Sequence, residues 1–397
     1  MNFVRFYFNA YKGLSKEIWI LSAVSLINRA GAMVLPFLSL YLMDNLSFSL
    51  KDTGAILSFY GIGSLIGTRT GGWLADKIGY FKTQFWSLFL ASFMYVLLLT
   101  VDSFYGLCFM IMGTSAIADV FRPANMASVS AYSKPENLTR SIGLNRLAIN
   151  LGYAIGPAVG GVLVLYSGYD VLFVVDGITC MLASLVFFYF LSPKEKKDAS
   201  PARSKTEKTT GPFRDPHFIF FLLAVLMSSI GFMQLFYTQP IFWKNHFNLS
   251  EDYIGLLLAL NCFLVVLIEV PLLFKIENKV SSMKMVALGA LFFAASYGVY
   301  NLSSWAILPI ISVVLISFGE IFNFPFANTS ALKRSNEDNA GQYMGAYAMA
   351  FSLSHIVAPG AGFWIAENYS FHTLWGITGI LLVGSAGIFI SLRRKMI

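Results

Sequence analysis

Charge is scarce in this chain: Lys, Arg, Asp and Glu make up only 12% of 397 residues, where a soluble domain carries about 25%. A soluble helical protein needs polar outer faces, and these residues are too few to supply them, so a soluble globule is excluded. Cysteine is nearly absent too. Cys108, Cys180 and Cys262 each lie inside an apolar stretch, at spacings that fit neither a zinc site nor a disulfide framework. They read as small packing residues. There is no glycine-rich phosphate loop ending in Lys-Ser/Thr, which argues against direct use of ATP. There is no HExxH, no metal-ligand histidine cluster and no GxSxG, so neither an enzyme nor a metal or other cofactor is expected. No secretory signal precedes the first apolar run.

What is present is hydrophobic length. Apolar residues make up 56% of the chain and fall into twelve long segments. Six lie near 18–43, 53–75, 83–101, 104–126, 139–166 and 170–191, and six more near 216–243, 252–274, 284–301, 305–330, 340–366 and 370–392. Each approaches the roughly 20 residues needed to cross a hydrocarbon core of about 30 Å. A strand barrel would instead show alternating segments of about 10 residues. The expected fold is therefore an all-α membrane protein. Residues 2–16 carry Phe3, Phe6, Tyr7, Tyr11 and Leu14 at helical spacing among Arg5, Lys12 and Lys16, the pattern of an interfacial helix.

Basic residues alternate from one connection to the next. The N-terminus, every even-numbered connection and the C-terminus carry Lys and Arg, whereas the odd-numbered connections offer only Lys51 and Lys244. The positive-inside rule puts both termini in the cytoplasm, and an even segment count agrees. A cell (inner) membrane is the expected location. The net charge of +7 is then a property of the inner surface, and no nucleic-acid partner is expected because the basic residues are scattered through loops. Residues 192–215 form the one long polar stretch, rich in Pro, Ser, Thr, Lys and Glu. They read as a cytoplasmic linker between an N-terminal bundle, 1–191, and a C-terminal bundle, 216–397.

The two halves echo each other. Gly143, Pro157 and Gly160 match Gly345, Pro359 and Gly362 at one constant offset, and Asp119, Pro123 and Asn125 resemble Glu320, Pro325 and Asn328. Twin halves in a membrane protein point to a site at their pseudo-symmetry axis and to a rocking motion.

At these residues the chain resembles transporters of the major facilitator superfamily, over essentially its whole length. Gly72-Trp73-Leu74-Ala75-Asp76-Lys77-Ile78-Gly79-Tyr80-Phe81-Lys82 resembles the family's cytoplasmic loop motif, with Tyr80 and Phe81 where basic residues are usual. The resemblance implies a conformational latch built on Gly72, Asp76, Lys77, Gly79 and Lys82. Gly152-Tyr153-Ala154-Ile155-Gly156-Pro157-Ala158-Val159-Gly160-Gly161 resembles the fifth-segment motif of the superfamily's antiporters, and through it the drug:proton antiporter branch. Physically, Gly152, Gly156, Pro157, Gly160 and Gly161 give a smooth, locally kinked helix face for close packing. One family feature is missing: the exporters' Arg early in the fourth segment has no counterpart in Leu107–Gly113. The family's proton route is therefore not carried over.

Charges within a membrane helix are costly and mark function or a fixed partner. Segments three and twelve contain none, segment nine has only Lys284 at its first residue, and segment six has only Asp170 and Asp176, toward its outer end. The resemblance puts these four on the lipid side and segments one, four, seven and ten around a central cavity. Asn28 and Arg29 fall near the middle of the first segment. Arg29 fits two readings, an anion or substrate contact and the partner of a buried carboxylate. Asp119, Glu320 and His355 are the proton-coupling candidates. A fixed pair with Arg122 is the alternative for Asp119, Glu320 has no cation one turn away in sequence, and His355 also fits plain packing. Arg122, Arg146, Asn150, Gln234, Gln239 and Asn261 join Asn28 and Arg29 as substrate-cavity candidates. The resulting expectation is a monomeric secondary transporter in a lipid bilayer, working by alternating access and exporting a small amphipathic compound against protons. Uptake symport of a small metabolite is the alternative, and a non-transporting membrane sensor is the alternative of another class.

Overall fold

The structure is a computed structural model that describes residues 12–194, 211–276, 280–303, 305–335 and 339–395. Residues 1–11 of the expected interfacial helix, most of the linker at 192–215, and Glu277 and Lys279 lie outside the described residues.

The described chain is helical throughout. In order the helices are α1 (Lys16–Ala30), α2 (Val34–Asp44), α3 (Leu50–Lys77), α4 (Tyr80–Leu97), α5 (Phe104–Asp119), α6 (Phe121–Tyr132), α7 (Leu138–Ser167) and α8 (Asp170–Phe190). Then come α9 (Pro216–Tyr237), α10 (Gln239–Phe247), α11 (Glu251–Ile276), α12 (Ser282–Gly298), α13 (Leu308–Arg334), α14 (Ala340–Asn368) and α15 (Phe371–Ser391). Among the described residues, eleven stretches are long and apolar enough to span a membrane. The second expected segment, now α3, has the length at 28 residues but is diluted by Gly, Thr and Arg69.

Three expected segments are interrupted, each next to a proline. Pro36, Pro123 and Pro240 lack the N–H that would bond the carbonyls of Ala32, Asp119 and Phe236. The chain accordingly pauses between α1 and α2, at Val120 between α5 and α6, and at Thr238 between α9 and α10. A proline near the start of the second piece fits its first turn, where that N–H is not needed.

The chain forms two compact units: residues 1–34 with 63–201, and residues 35–62 with 202–397. They do not coincide with the sequence halves, because residues 35–62 belong to the second unit. In the first unit Leu21 and Val24 of α1, Leu88 of α4, Phe121 and Val129 of α6, and Ala183 and Phe187 of α8 form one buried cluster. In the second, Phe218 and Phe221 of α9, Val286 and Ala290 of α12, Ala327 and Ala331 of α13 and Phe389 of α15 form another. Close packing, rather than water exclusion, holds such clusters when the surrounding medium is itself apolar.

Small residues on α3 allow the closest approaches. In the first unit a Cβ at Gly67 or Gly71 would strike the backbone of Ala116 or Val120. In the second unit Gly54 and Gly61 meet Pro359 and His355 of α14 in the same way. The outward faces are apolar as well: Trp86, Leu90, Phe93 and Leu97 on α4 and Val174, Ile178, Leu182 and Leu185 on α8 are exposed at helical spacing. Helices apolar inside and out require lipid around them.

Candidate functional site

In the first unit the site is built around the break between α1 and α2. Gly31 takes the cap position, where a Cβ would collide with the Thr179 hydroxyl of α8. That contact lets α8 bring Asp176 to the broken backbone. Asp176 is buried, its Oδ1 accepts the Met33 N–H at 2.9 Å and its Oδ2 accepts the Val34 N–H at 3.2 Å. Asn28 donates to the Cys180 Sγ at 3.4 Å. Asn28, Arg29, Tyr95, Asp176 and Cys180 line a cavity of about 20 Å³.

Arg29 has no hydrogen bond or ion pair among the described residues. Its guanidinium carbon lies 5.6 Å from the Phe121 ring centre and 5.4 Å from that of Tyr153, and its Nε is buried without a partner. Cation–π attraction holds such a group but leaves its planar set of N–H donors unused. Gly152 and Gly156 of α7 pack directly on this stretch: a Cβ at Gly152 would lie 2.6 Å from the Arg29 Cβ, and one at Gly156 3.2 Å from the Arg29 and Ala30 carbonyl oxygens. The expected glycine face therefore seats the helix that carries Arg29.

Asp119 is buried and its Oδ1 pairs with the Arg122 Nε at 2.9 Å, the fixed-pair geometry. Arg146 is exposed and Asn150 half-buried on α7. Asn145, immediately before Arg146, is the buried member: it accepts the Ser25 hydroxyl at 2.7 Å in a network with Asn125 and Gln84. In the loop motif Gly79 has a φ of +90°, so the turn needs glycine there. Asp76 and Lys82 are exposed, Gly72 half-buried, and Lys77 lies over the Trp73 ring at 4.7 Å. Tyr80, in a position where a basic residue is usual, is buried. Its hydroxyl takes the Lys194 N–H at 2.9 Å and its ring meets Tyr132 edge-on.

In the second unit Glu320 of α13 is half-buried and its Oε2 accepts the Asn261 amide at 3.3 Å; Asn261 also bonds Ser317 at 3.1 Å. His355 of α14 is buried, with its Nδ1 at 2.8 Å from the Tyr237 hydroxyl and Tyr60 and Phe351 around the ring. Gln234 and Gln239 are both buried within the second unit. Gln234 donates to the Ala358 carbonyl at 3.1 Å and accepts from Thr238, and Gln239 reaches Ser312 at 3.3 Å. Both amides are buried, and the Gln239 Oε1 has no hydrogen-bond partner among the described residues.

Two features escaped the sequence reading. Asp176 was visible as an intramembrane acid but sat in a segment assigned to the lipid side. The other is Lys244, which binds Asp44 at 2.6 Å across 200 residues and also reaches Glu251. No local signal marks that pairing. Burial works against the Lys244 ammonium, but the two carboxylates more than offset it and raise its pKa above the usual lysine value.

The sequence profile of the Major Facilitator Superfamily matches residues 18–359. The chain belongs to that superfamily. It is 22% identical over 366 residues to a Na(+), Li(+), K(+)/H(+) antiporter of Planococcus maritimus, covering 84% of this chain and 85% of that protein. It is 26% identical over 313 residues to the human MFS-type transporter SLC18B1, covering 74% of this chain and 67% of that protein. The fold matches a crystal structure of a POT family transporter in complex with 5-aminolevulinic acid. That match has a TM-score of 0.81 and 17% identity and covers 97% of this chain and 98% of that one. The protein is thus a multi-span membrane transporter of the superfamily, and family and fold point away from an enzyme.

Proposed function

We propose that the protein is a secondary active transporter that works by alternating access and exports a small amphipathic compound in exchange for protons. It does so as a monomer in a cell (inner) membrane, with both termini and residues 192–215 on the cytoplasmic side. The observation that carries this reading is Arg29. A cation within a membrane segment, held by two aromatic rings and without a counter-ion among the described residues, is a costly arrangement unless a partner arrives from elsewhere. A polar or anionic part of the substrate is such a partner. Proton exchange is supported by the interior carboxylates Asp119 and Glu320 and by the relative named as a cation/H(+) antiporter.

The test is transport in proteoliposomes under an imposed proton gradient with a compound panel, in the native protein and in Arg29→Gln and Arg29→Lys. Substrate movement that collapses the gradient in the native protein and weakens at least tenfold in Arg29→Gln is expected, since a bidentate charged contact contributes about 1.5–3 kcal/mol. Equal transport by Arg29→Gln would remove the argument. The sign of the coupled proton flux decides between export and uptake.

A further inference from the structure

The break in the first membrane segment is fastened by one side chain. At a helix N-terminus the first N–H groups lack intrahelical acceptors, and in an apolar setting each must find one. Here the acceptors are the two oxygens of Asp176. Val34 depends on Oδ2 at 3.2 Å, while the Met33 N–H is shared between Oδ1 at 2.9 Å and the Gly31 carbonyl at 2.7 Å. Asp176 forms no ion pair with a cation among the described residues. The ionisable groups lining the cavity beside it are Arg29 of α1, Tyr95 of α4 and Cys180 of α8; α5 contributes only Ala118. On α7, Tyr153 faces Arg29 rather than the carboxylate. The cavity, at about 20 Å³, has room for one water by volume. That gives a proton a polar step next to the carboxylate.

The two protonation states of this group are not equivalent for the backbone. An ionised carboxylate offers acceptors on both oxygens. A proton added to one oxygen turns that oxygen into a donor, so one of the two N–H groups loses its charged acceptor. Met33 keeps the Gly31 carbonyl whichever oxygen is protonated, so the N–H left without an acceptor is that of Val34, when the proton sits on Oδ2. Asp176, Met33 and Val34 all belong to the first compact unit.

We propose that Asp176 is a proton-binding site that sets the state of the helix break, clamping the start of α2 when ionised and releasing it when protonated. The inference rests on the proton-coupled reading above and locates one of its protons in a helix that the family resemblance puts on the lipid side. No second reactant is needed: the proton adds to Asp176 and leaves it unchanged otherwise.

The test is amide hydrogen exchange of the segment around Met33 and Val34 in the full-length protein, from about pH 5 to about pH 9, corrected for the intrinsic pH dependence of exchange. Corrected protection of Val34 should fall about tenfold or more toward acid, the loss of one charge-assisted hydrogen bond, while that of α1 and α2 interiors stays level. In Asp176→Asn the segment should be weakly protected at every pH. Level protection in the native protein, or an unchanged acid transition in Asp176→Asn, overturns the proposal. The native measurement stands by itself if that variant does not fold. Asp176→Glu, which keeps an ionisable group, should keep a transition at a shifted pH. In proteoliposomes Asp176→Asn should lose gradient-driven accumulation, and full accumulation by it would overturn the coupling role. A native protein that moves no protons with its substrate refutes the antiport reading instead, and the exchange data then decide the Asp176 clamp independently.

Discussion

Replacing Gly152 with alanine should damage the protein far more than the same change at Gly156, although both lie on one glycine face. At Gly152 the new methyl would lie 2.6 Å from the Arg29 Cβ and 2.9 Å from the Ala30 nitrogen. Carbon atoms rest at about 3.5–4.0 Å, so α1 must retreat by roughly 1 Å or rotate. Overpacking of that kind costs about 1–3 kcal/mol. At Gly156 the nearest atoms are carbonyl oxygens at 3.2 Å, a deficit of a few tenths of an ångström. Alanine also gains about 0.8–1 kcal/mol of helix propensity over glycine at either place. The balance is a net loss of up to about 2 kcal/mol for Gly152→Ala and none, or a small gain, for Gly156→Ala. Thermal unfolding in detergent reads the stability difference. Because the atom displaced first belongs to Arg29, substrate exchange in proteoliposomes should fall in Gly152→Ala and stay near native in Gly156→Ala. Equal losses at the two positions would refute the packing argument.

Glu320→Gln keeps an amide able to meet Asn261 but removes the proton site, so gradient-driven transport should vanish while substrate binding or exchange survives; full gradient-driven accumulation would rule Glu320 out. Ser49→Cys and Ser200→Cys should react with an impermeant thiol reagent from opposite sides of the membrane, and labelling of Ser200→Cys from outside intact cells would reverse the orientation. Asp215 caps α9 by accepting the His217 and Phe218 N–H groups and pairs with Arg334 at 2.7 Å. Asp215→Ala should cost about 1–2 kcal/mol, a lost cap plus a partly buried ion pair. Burial alone would raise the Asp215 carboxyl, yet Arg334 and the backbone donors hold it below its usual value. The stabilisation is therefore full above the ordinary carboxyl range and lost as pH falls through the lower folded value. The stability gap between native protein and Asp215→Ala should close in acid; a gap that widens there would reverse the sign.

Long-range order was legible wherever hydrophobic length alone decides it. The twelve segments and their helical character follow from apolar runs, and α8 and α15 fall almost where expected. The interruptions were written in Pro36, Pro123 and Pro240, but a proline near the start of a helix and one within a longer helix look alike until the freed carbonyl is placed. The motif glycines were legible as a packing face, whereas the atoms they pack on, Arg29 and Ala30, were not. Gln234 and Gln239 read as polar groups in an apolar segment, and such groups face either a cavity or a distant acceptor. Here the acceptors are Ala358 and Ser312, 124 and 73 residues away, and no local pattern reports them. Tyr80 looked like a lost charge in a loop motif; in three dimensions it anchors the backbone at Lys194.

The grouping of residues 35–62 with the second unit sets a timetable for biogenesis. The Ser58 hydroxyl lies 2.9 Å from the Ile356 carbonyl, 298 residues further along the chain. At about 5–20 residues per second, the ribosome needs roughly 15–60 s to supply that partner. Through that interval Ser58 has only the Gly54 carbonyl, also at 2.9 Å, and lipid must stand in for α14 against Gly54 and Gly61. The opening stretch of α3 is thus among the first parts of the protein to enter the bilayer and among the last to reach its final neighbours. A translocon-associated chaperone, or a pause in elongation, would act most usefully on this early hairpin.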